Sequence, residues 1–307
     1  MAERLSLEGL RYAQAVIQAG SFSAAARDYG VTQPALSNGI AALEKRLGAR
    51  LFQRSTRGVT PTEFGEQILP LISQAVIDLD AITSHARRLT QPTPGNLRMG
   101  VSPLINPELV ARAYRAVRDL PKAHDLVLRE ANMDELREAL RAGDLDVILI
   151  PSVESQAGFE HRIIDSEPVV IVDSHATTPP SSELDEQANK SFILVPDSCG
   201  LTAFTNQLFA ANDLSLKPYS GEASSYRVLE QWATMGLGAA LLPMSKLSSP
   251  DAPHQRLTED GLEVEIFYEA VWYGGSVLAP EVKALTEQLV SSAETSVSTA
   301  QTPASHN

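Results

Sequence analysis

Gln33, Pro34, Ser37 and Asn38 fall within two turns of one short segment, and Arg54 and Arg57 follow it closely. Short polar side chains at the start of a helix suit the hydrogen-bonding edges of bases in a DNA major groove, and arginines on a nearby hairpin suit phosphates. The elements that must hold them are legible. Ser23 is expected to cap a small Ala-rich helix ending at Tyr29, with Gly30 as the break. Thr32 is expected to cap the next helix, where Pro34 is tolerated because first-turn amides lack intrahelical partners. Ala24, Ala25 and Ala26 allow close helix approach, and Leu36, Ile40 and Leu43 fall at helical spacing toward a core. Two helices at a tight turn followed by a hairpin make a winged helix-turn-helix over residues 1–62. Its expected DNA contacts are Ser23, Thr32, Gln33, Pro34, Ser37, Asn38, Arg54 and Arg57.

Charge is distributed to match. The net charge of −13 is unfavourable for a nucleic-acid binder, but residues 1–65 hold eight Lys or Arg against five Asp or Glu, so residues 66–307 carry −16. Arg27, Lys45, Arg46, Arg50, Arg54 and Arg57 sit where phosphates would be met, while an acidic body limits non-specific binding. The bland alternative is an ordinary solvated surface.

Residues 63–90 read as one long helix. Ile68, Ile72, Ala75, Leu79, Ile82, Ala86 and Leu89 recur at intervals of four and three, the pattern of a coiled-coil seam, so they are the expected dimerisation residues. The alternative is a helix packed on its own domain. Thr60 with Glu63 forms a capping-box pattern with Pro61 at the first helical position, and Thr62 serves equally well as a cap. Pro70 should bend or loosen the helix. The hinge is residues 91–96, where two prolines and a glycine end one element before the next begins.

From Leu97 strands alternate with helices. Strands are expected at 97–101, 125–129 and 146–150, with helices at 107–117 and 133–141 between them, which implies a parallel sheet covered by helices. A second unit opens at 169–172 and continues through 192–195, a helix at 202–211, a helix at 227–235 and a strand at 239–242. A strand at 269–272 and a helix at 280–290 return to the first unit. The domain of 97–290 is thus two-lobed, with 97–165 and 269–290 in one lobe and 166–268 in the other. Residues 291–307 are poor in apolar side chains and are expected to be a disordered tail. Ligands of such sheets sit beyond the carboxyl ends of the strands, near helix N-termini. That rule selects Ser102, Pro103, Glu130, Asn132, Pro151, Ser198, Cys199, Gly200, Thr202, Glu222 and Ser224 as effector-binding candidates. Each is also explicable as a helix cap. No Lys or Arg falls in these loops, so an obvious clamp for a carboxylate is missing.

The N-terminal block resembles that of the LysR-type transcriptional regulators. The shared residues include Leu10, the Gly20-Ser21-Phe22 turn, Ala25-Ala26, the run Val31 to Ser37, Ile40, Leu43-Glu44, Leu47-Gly48, Leu51-Phe52, Arg54, Arg57-Gly58, Thr62 and Gly65. Farther on, Gly143 to Asp146 and Gly236 to Pro243 resemble recurrent segments of the family's effector domain. The resemblance implies an α/β chain: a winged helix-turn-helix, a linker helix, and a two-lobed effector domain similar to periplasmic binding proteins. It further implies homodimers that pair into homotetramers, duplex DNA with two half-sites, a small-molecule effector between the lobes, RNA polymerase as a further partner, and a cytoplasmic location. Asn38, Gly39 and Ala41 depart from the family's usual basic or amide residues, so no operator sequence can be carried over; Gly39 also costs its helix about 1 kcal/mol relative to Ala. Peroxide-sensing relatives use two cysteines in a loop comparable to that of Cys199, and this chain has one, which rules out their disulfide switch; the readings left for Cys199 are a small residue lining the ligand cleft and, as the alternative, a one-cysteine sensor through sulfenic acid or an adduct.

Other chemistry is not indicated. The six histidines lack metal-ligand spacing, no phosphate loop precedes a Lys-Ser or Lys-Thr pair, and Asp144 and Asp146 read as caps at a strand start rather than a catalytic pair. Neither a cofactor nor a metal is expected. One cysteine, 43% hydrophobic residues and the absence of a signal-like or membrane-length apolar run point to a soluble protein of a reducing compartment. The competing reading is a small-molecule-binding or enzymatic α/β protein whose N-terminal helices merely oligomerise.

Overall fold

The computed structural model describes residues 5–55, 58–90, 95–122, 124–153, 156, 158–174, 181–196 and 198–300, with the backbone alone for 291–300 and for several others, Arg54 and Leu89 among them. Arg57, residues 91–94 of the hinge and residues 301–307 of the tail lie outside the described residues. The chain divides into two compact units, one holding Met1–Leu89 and the other nearly all the rest.

The first unit begins with helix α1 (Leu7–Ala19), capped by Ser6, whose hydroxyl accepts from the Gly9 amide at 3.0 Å. Helix α2 (Phe22–Asp28) is capped by Ser21, which accepts from the Ala24 amide, and not by Ser23 as expected. The reason is Phe22: it buries in the core and so starts the helix, leaving Ser23 exposed within the first turn. Helix α3 (Gln33–Leu47) is capped by Thr32, with Pro34 in its first turn. The wing follows as strands β1 (Phe52–Ser55) and β2 (Gly58–Pro61), antiparallel with Arg54 opposite Val59. Leu36, Ile40 and Leu43 of α3 meet Ala13 and Val16 of α1 and Ala25 and Ala26 of α2 in one core. The departure at Gly39 has a local cause. A Cβ there would stand 2.5 and 2.7 Å from two ring carbons of buried Tyr12, so the missing side chain lets α1 and α3 close on each other.

Helix α4 (Glu63–Thr90) runs unbroken past Pro70. Thr62 is its cap, accepting from the Gly65 amide at 3.0 Å, while Thr60 and Pro61 belong to β2. Its apolar residues divide. Ile72 is buried and packs with Leu69 and Val76 in the core of the head, and Ile68 lies against the same core, so neither is available to a dimer seam. Ala75 is half-buried, and Leu79, Ile82 and Ala86 are exposed, Ile82 at 64%.

In the second unit, strand β3 (Asn96–Val101), helix α5 (Pro107–Arg118), strand β4 (Asp125–Glu130), helix α6 (Met133–Arg141) and strand β5 (Val147–Pro151) form the expected right of entry to a sheet in which β4, β3 and β5 are parallel neighbours. Strand β6 (Glu160–Val172) is longer than expected. It is followed by strand β7 (Ser181–Glu183), helix α7 (Leu184–Gln187), strand β8 (Phe192–Leu194), helix α8 (Gly200–Ala211), strand β9 (Pro218–Glu222), helix α9 (Tyr226–Thr234), strand β10 (Ala240–Pro243) and a 3-10 turn at Met244–Lys246. Strands β11 (Gln255–Glu259), β12 (Leu262–Glu263) and β13 (Glu265–Trp272) then lead to helix α10 (Ala279–Ala300). The helix continues to Ala300, where a disordered tail was expected from Ser291.

Strand β6 belongs to both lobes. Residues 160–168 pair antiparallel with β13, which pairs with β5 in the first lobe; residues 169–172 pair with β10, and 170–171 with β11, in the second. The lobes therefore share a continuous strand rather than a loop. Asp146 is buried at the start of β5, accepting from the Arg98 amide of β3 at 2.8 Å and from its guanidinium, a structural role for that carboxylate.

Candidate functional site

Two surfaces collect the residues singled out in the sequence. On the head, Gln33, Pro34 and Asn38 are exposed and Ser37 is half-buried, all in the first two turns of α3. Their helix presents them because Leu36, Ile40 and Leu43 occupy the opposite face. The Thr32 hydroxyl accepts the Ala35 amide and keeps its own proton for a further acceptor. Ser23 is exposed at the start of α2. Arg27, Lys45, Arg46 and Arg50 are exposed; Arg27 lies 3.7 Å from Asp28, an ion pair so solvated that it holds little of the charge. The side chains of Arg54 and Arg57 are outside the described residues.

The second surface is where the lobes face each other. The cap rule placed eleven residues here, and the structure separates them by what their polar atoms already do. Ser102 is buried; its hydroxyl accepts the Leu104 amide at 3.2 Å and closes the turn after β3. Asn132 caps α6 by accepting the Glu135 amide at 2.9 Å. Thr202 is buried and donates its one hydroxyl proton to the Val195 carbonyl at 2.6 Å, so it is not the ligand donor its position suggested. Ser225, rather than Ser224, caps α9, while Ser224 and Glu222 are exposed beside it. Gly200 has no open space: a Cβ would stand 2.2 Å from Pro151 and 2.6 Å from the Met133 sulfur, both of the other lobe. The Met133 amide donates to the Ser198 carbonyl at 3.2 Å, another contact from lobe to lobe. Pro103 and Glu130 are exposed at the ends of β3 and β4.

Around Cys199 a cluster forms that the sequence did not reveal. The Cys199 sulfur lies 2.9 Å from the Tyr226 hydroxyl, and the Lys246 ammonium lies 5.9 Å from the centre of the Tyr226 ring. Lys246 donates to the Ile105 carbonyl at 2.7 Å, crossing from the second lobe to the first. Burial pushes the Tyr226 phenol well above its ordinary range, with the neighbouring thiol adding to the effect, so it stays protonated. Burial also pulls the Lys246 ammonium below its usual pKa, opposed by the carboxylates of Glu167 and Glu130. Glu167 is itself occupied: it accepts from the Ser245 amide at 2.7 Å, the Ser245 hydroxyl at 2.9 Å and the Tyr268 hydroxyl at 2.6 Å. This anchors the turn that carries Lys246 to the shared strand β6. A signal for Lys246 existed. Ala239, just before β10, bridges in parallel to Phe192 of β8, so the carboxyl end of β10 opens on the same side, and Met244–Lys246 follows it directly.

Among the described residues no group of His, Cys, Asp and Glu is arranged to hold a metal ion, and no helix is long and apolar enough to cross a membrane.

Residues 7–66 match the family model described as bacterial regulatory helix-turn-helix protein, lysR family, and residues 90–294 match the LysR substrate binding domain. A probable hydrogen peroxide-inducible genes activator of Mycobacterium leprae is 31% identical over 248 residues, covering 78% of this chain and 78% of that protein. The transcriptional regulator BudR of Raoultella terrigena is 30% identical over 276 residues, covering 85% and 93%. Among solved structures, an OxyR variant of Corynebacterium glutamicum superposes with a TM-score of 0.56 at 24% identity, over 98% of both chains. CbnR complexed with its target DNA superposes with a TM-score of 0.52 at 21% identity, over 92% of this chain and 99% of that one. At those identities the structural likeness establishes the fold.

Proposed function

Since this chain belongs to the LysR-type family of transcriptional regulators, with a helix-turn-helix DNA-binding domain followed by an effector-binding domain, we propose that it binds two half-sites of duplex DNA as a homodimer whose seam is the exposed part of α4. Two such dimers pairing into a tetramer would span a longer operator. Regulation then proceeds through a small-molecule effector held between the lobes, with RNA polymerase as the machinery acted upon, in the cytoplasm where the chromosome lies.

The observation that carries the DNA reading is the exposed row Gln33, Pro34 and Asn38 on a helix whose other face is core. Gln33 can bond adenine in a bidentate manner, and a good pair of that kind discriminates by about 1–3 kcal/mol. The seam reading rests on Leu79, Ile82 and Ala86, which continue the heptad beyond the point where the head's own core ends. The effector reading rests on the cluster of Cys199, Tyr226 and Lys246 between the lobes, built on a strand common to both. The competing enzymatic reading falls to the family match over both parts of the chain. The test is selection of binding sites from random duplex DNA with the full chain and with Gln33→Ala. Loss of preference at one base position per half-site is expected; an unchanged consensus would remove Gln33 from the reading face.

A further inference from the structure

Of all the charged side chains in the second unit, Lys246 is placed in the least ordinary way. It rises from the short turn after β10 and crosses to the other lobe, where its partner is an uncharged carbonyl, that of Ile105. Among the described residues Lys246 forms no ion pair with a carboxylate. Glu167, which faces the same turn, has its carboxylate taken by Ser245 and Tyr268. Glu130, at the end of β4, is exposed to solvent and acts on Lys246 only through space. Lys246 is half-buried, and an ammonium partly withdrawn from water without an anion at hydrogen-bond distance is an unfavourable arrangement that a carboxylate ligand would relieve.

The surroundings define what else such a ligand must offer. The ring of Tyr226 lies under the ammonium, and its hydroxyl together with the Cys199 sulfur forms a weakly polar wall. The Thr202 hydroxyl, which would otherwise serve a polyol or a sugar, donates its proton to the Val195 carbonyl. Glu130 nearby disfavours a second negative charge. Resting on the reading that an effector binds between the lobes, we infer that this effector is a small organic monocarboxylate, that Lys246 is the residue that holds its carboxylate, and that its less polar end lies against Tyr226 and Cys199. Binding replaces the Ile105 carbonyl as the partner of Lys246, which alters a tie between the lobes at the moment the ligand enters. That exchange couples occupancy to lobe placement, because a ligand shifts such an equilibrium by its difference in affinity for the two arrangements.

The experiment uses the full chain and a panel of sodium monocarboxylates of two to eight carbons, aliphatic and aromatic, each with its neutral amide and with sodium phosphate and sodium chloride at equal ionic strength. Thermal unfolding is followed for wild type, Lys246→Met and Lys246→Arg. At about a hundredfold excess over its Kd, a carboxylate that fits should raise the midpoint of wild type by several degrees. Its amide, phosphate and chloride should not. Lys246→Met should lose that rise and Lys246→Arg should keep part of it. A purely structural lysine would instead give a Lys246→Met variant in which every carboxylate response is unchanged, which overturns the inference. Stabilisation by amides but not carboxylates overturns it too, while leaving the interlobe effector reading intact. If no compound of either class changes the midpoint or the affinity for selected DNA, both fail together.

Discussion

Gly39→Ala is a substitution for which helix propensity and packing give opposite answers. On propensity alone it should stabilise, since Gly inside a helix costs about 1 kcal/mol relative to Ala. The structure reverses the sign. The new Cβ would sit 2.5 Å from Cδ2 and 2.7 Å from Cε2 of Tyr12, against an ordinary contact of 3.4–4 Å, so ring or helix must move by about 1 Å. Tyr12 is poorly placed to move: it is 4% exposed, its hydroxyl donates to Glu8 at 2.6 Å, and its ring meets that of Tyr29 edge to face at 5.1 Å. Overpacking of this kind costs about 1–3 kcal/mol. The net expectation is a head weakened by up to about 2 kcal/mol. The assay should report on the head alone, because two units need not melt together. Amide hydrogen exchange at Leu36, Ile40 and Leu43, buried in α3, does so. The cycle is completed with Tyr12→Val, which removes the two ring carbons. In that background Gly39→Ala should become stabilising, as propensity says. DNA affinity should fall in the single variant, because α3 is displaced from α1 and its exposed row with it. Slower exchange in Gly39→Ala with Tyr12 present would refute the close-approach argument and return Gly39 to the status of a plain helix defect.

Thr202→Val keeps the volume but removes the donor to the Val195 carbonyl inside the second lobe, so it should destabilise the effector-binding unit by about 1–3 kcal/mol. Thr202→Ser should not, and below the melting range both should respond to effector as wild type does; loss of response at full stability would make the hydroxyl a ligand contact after all. Leu79→Glu places a carboxylate on a helix face that is 37% exposed in the single chain, so the head should stay folded while dimerisation and tight DNA binding are lost together. Light scattering showing an intact dimer would move the seam off α4.

Much of the arrangement was legible because it follows from local periodicity. The alternation of Leu97–Val101, the amphipathic pattern of Pro107–Arg118 and the apolar run Val147–Pro151 each answer to one period and one buried face, and each forms the expected element. Strand β6 did not announce itself because its first half, Glu160–Pro168, is buried only intermittently: Ile163 is exposed while Ile164 is buried, and charged residues intervene. What makes that half a strand is pairing with β13, a hundred residues away in sequence, which no local pattern encodes. The heptad misled for a related reason. Ile68 and Ile72 satisfy a seven-residue repeat, yet the first turns of α4 must also close the head's core, and Leu69 and Val76 show which demand prevails there. The repeat is left exposed only from Leu79 on, where that core has ended, and the proposed seam is confined to that part.

The candidate site was harder for a further reason. A loop rule finds hydroxyls at helix starts, but it cannot say whether a hydroxyl is already used. Ser102, Asn132 and Thr202 all fit the rule, and each already has a local partner: Ser102 accepts the Leu104 amide, Asn132 accepts the Glu135 amide and donates to its carboxylate, and Thr202 donates to the Val195 carbonyl. Lys246 lies only three residues past the strand end at Pro243, yet it becomes part of the site through a side chain that spans the lobes, a contact fixed by Glu167 on β6 holding Ser245 next door. The side chains with chemistry to spare in this cleft are therefore those whose partners are weak or neutral: a thiol against a phenol, and an ammonium against a carbonyl. Groups saturated by the fold keep the lobes in shape, and on the proposed reading the groups left under-satisfied are where an effector would change the balance between one arrangement of the lobes and another.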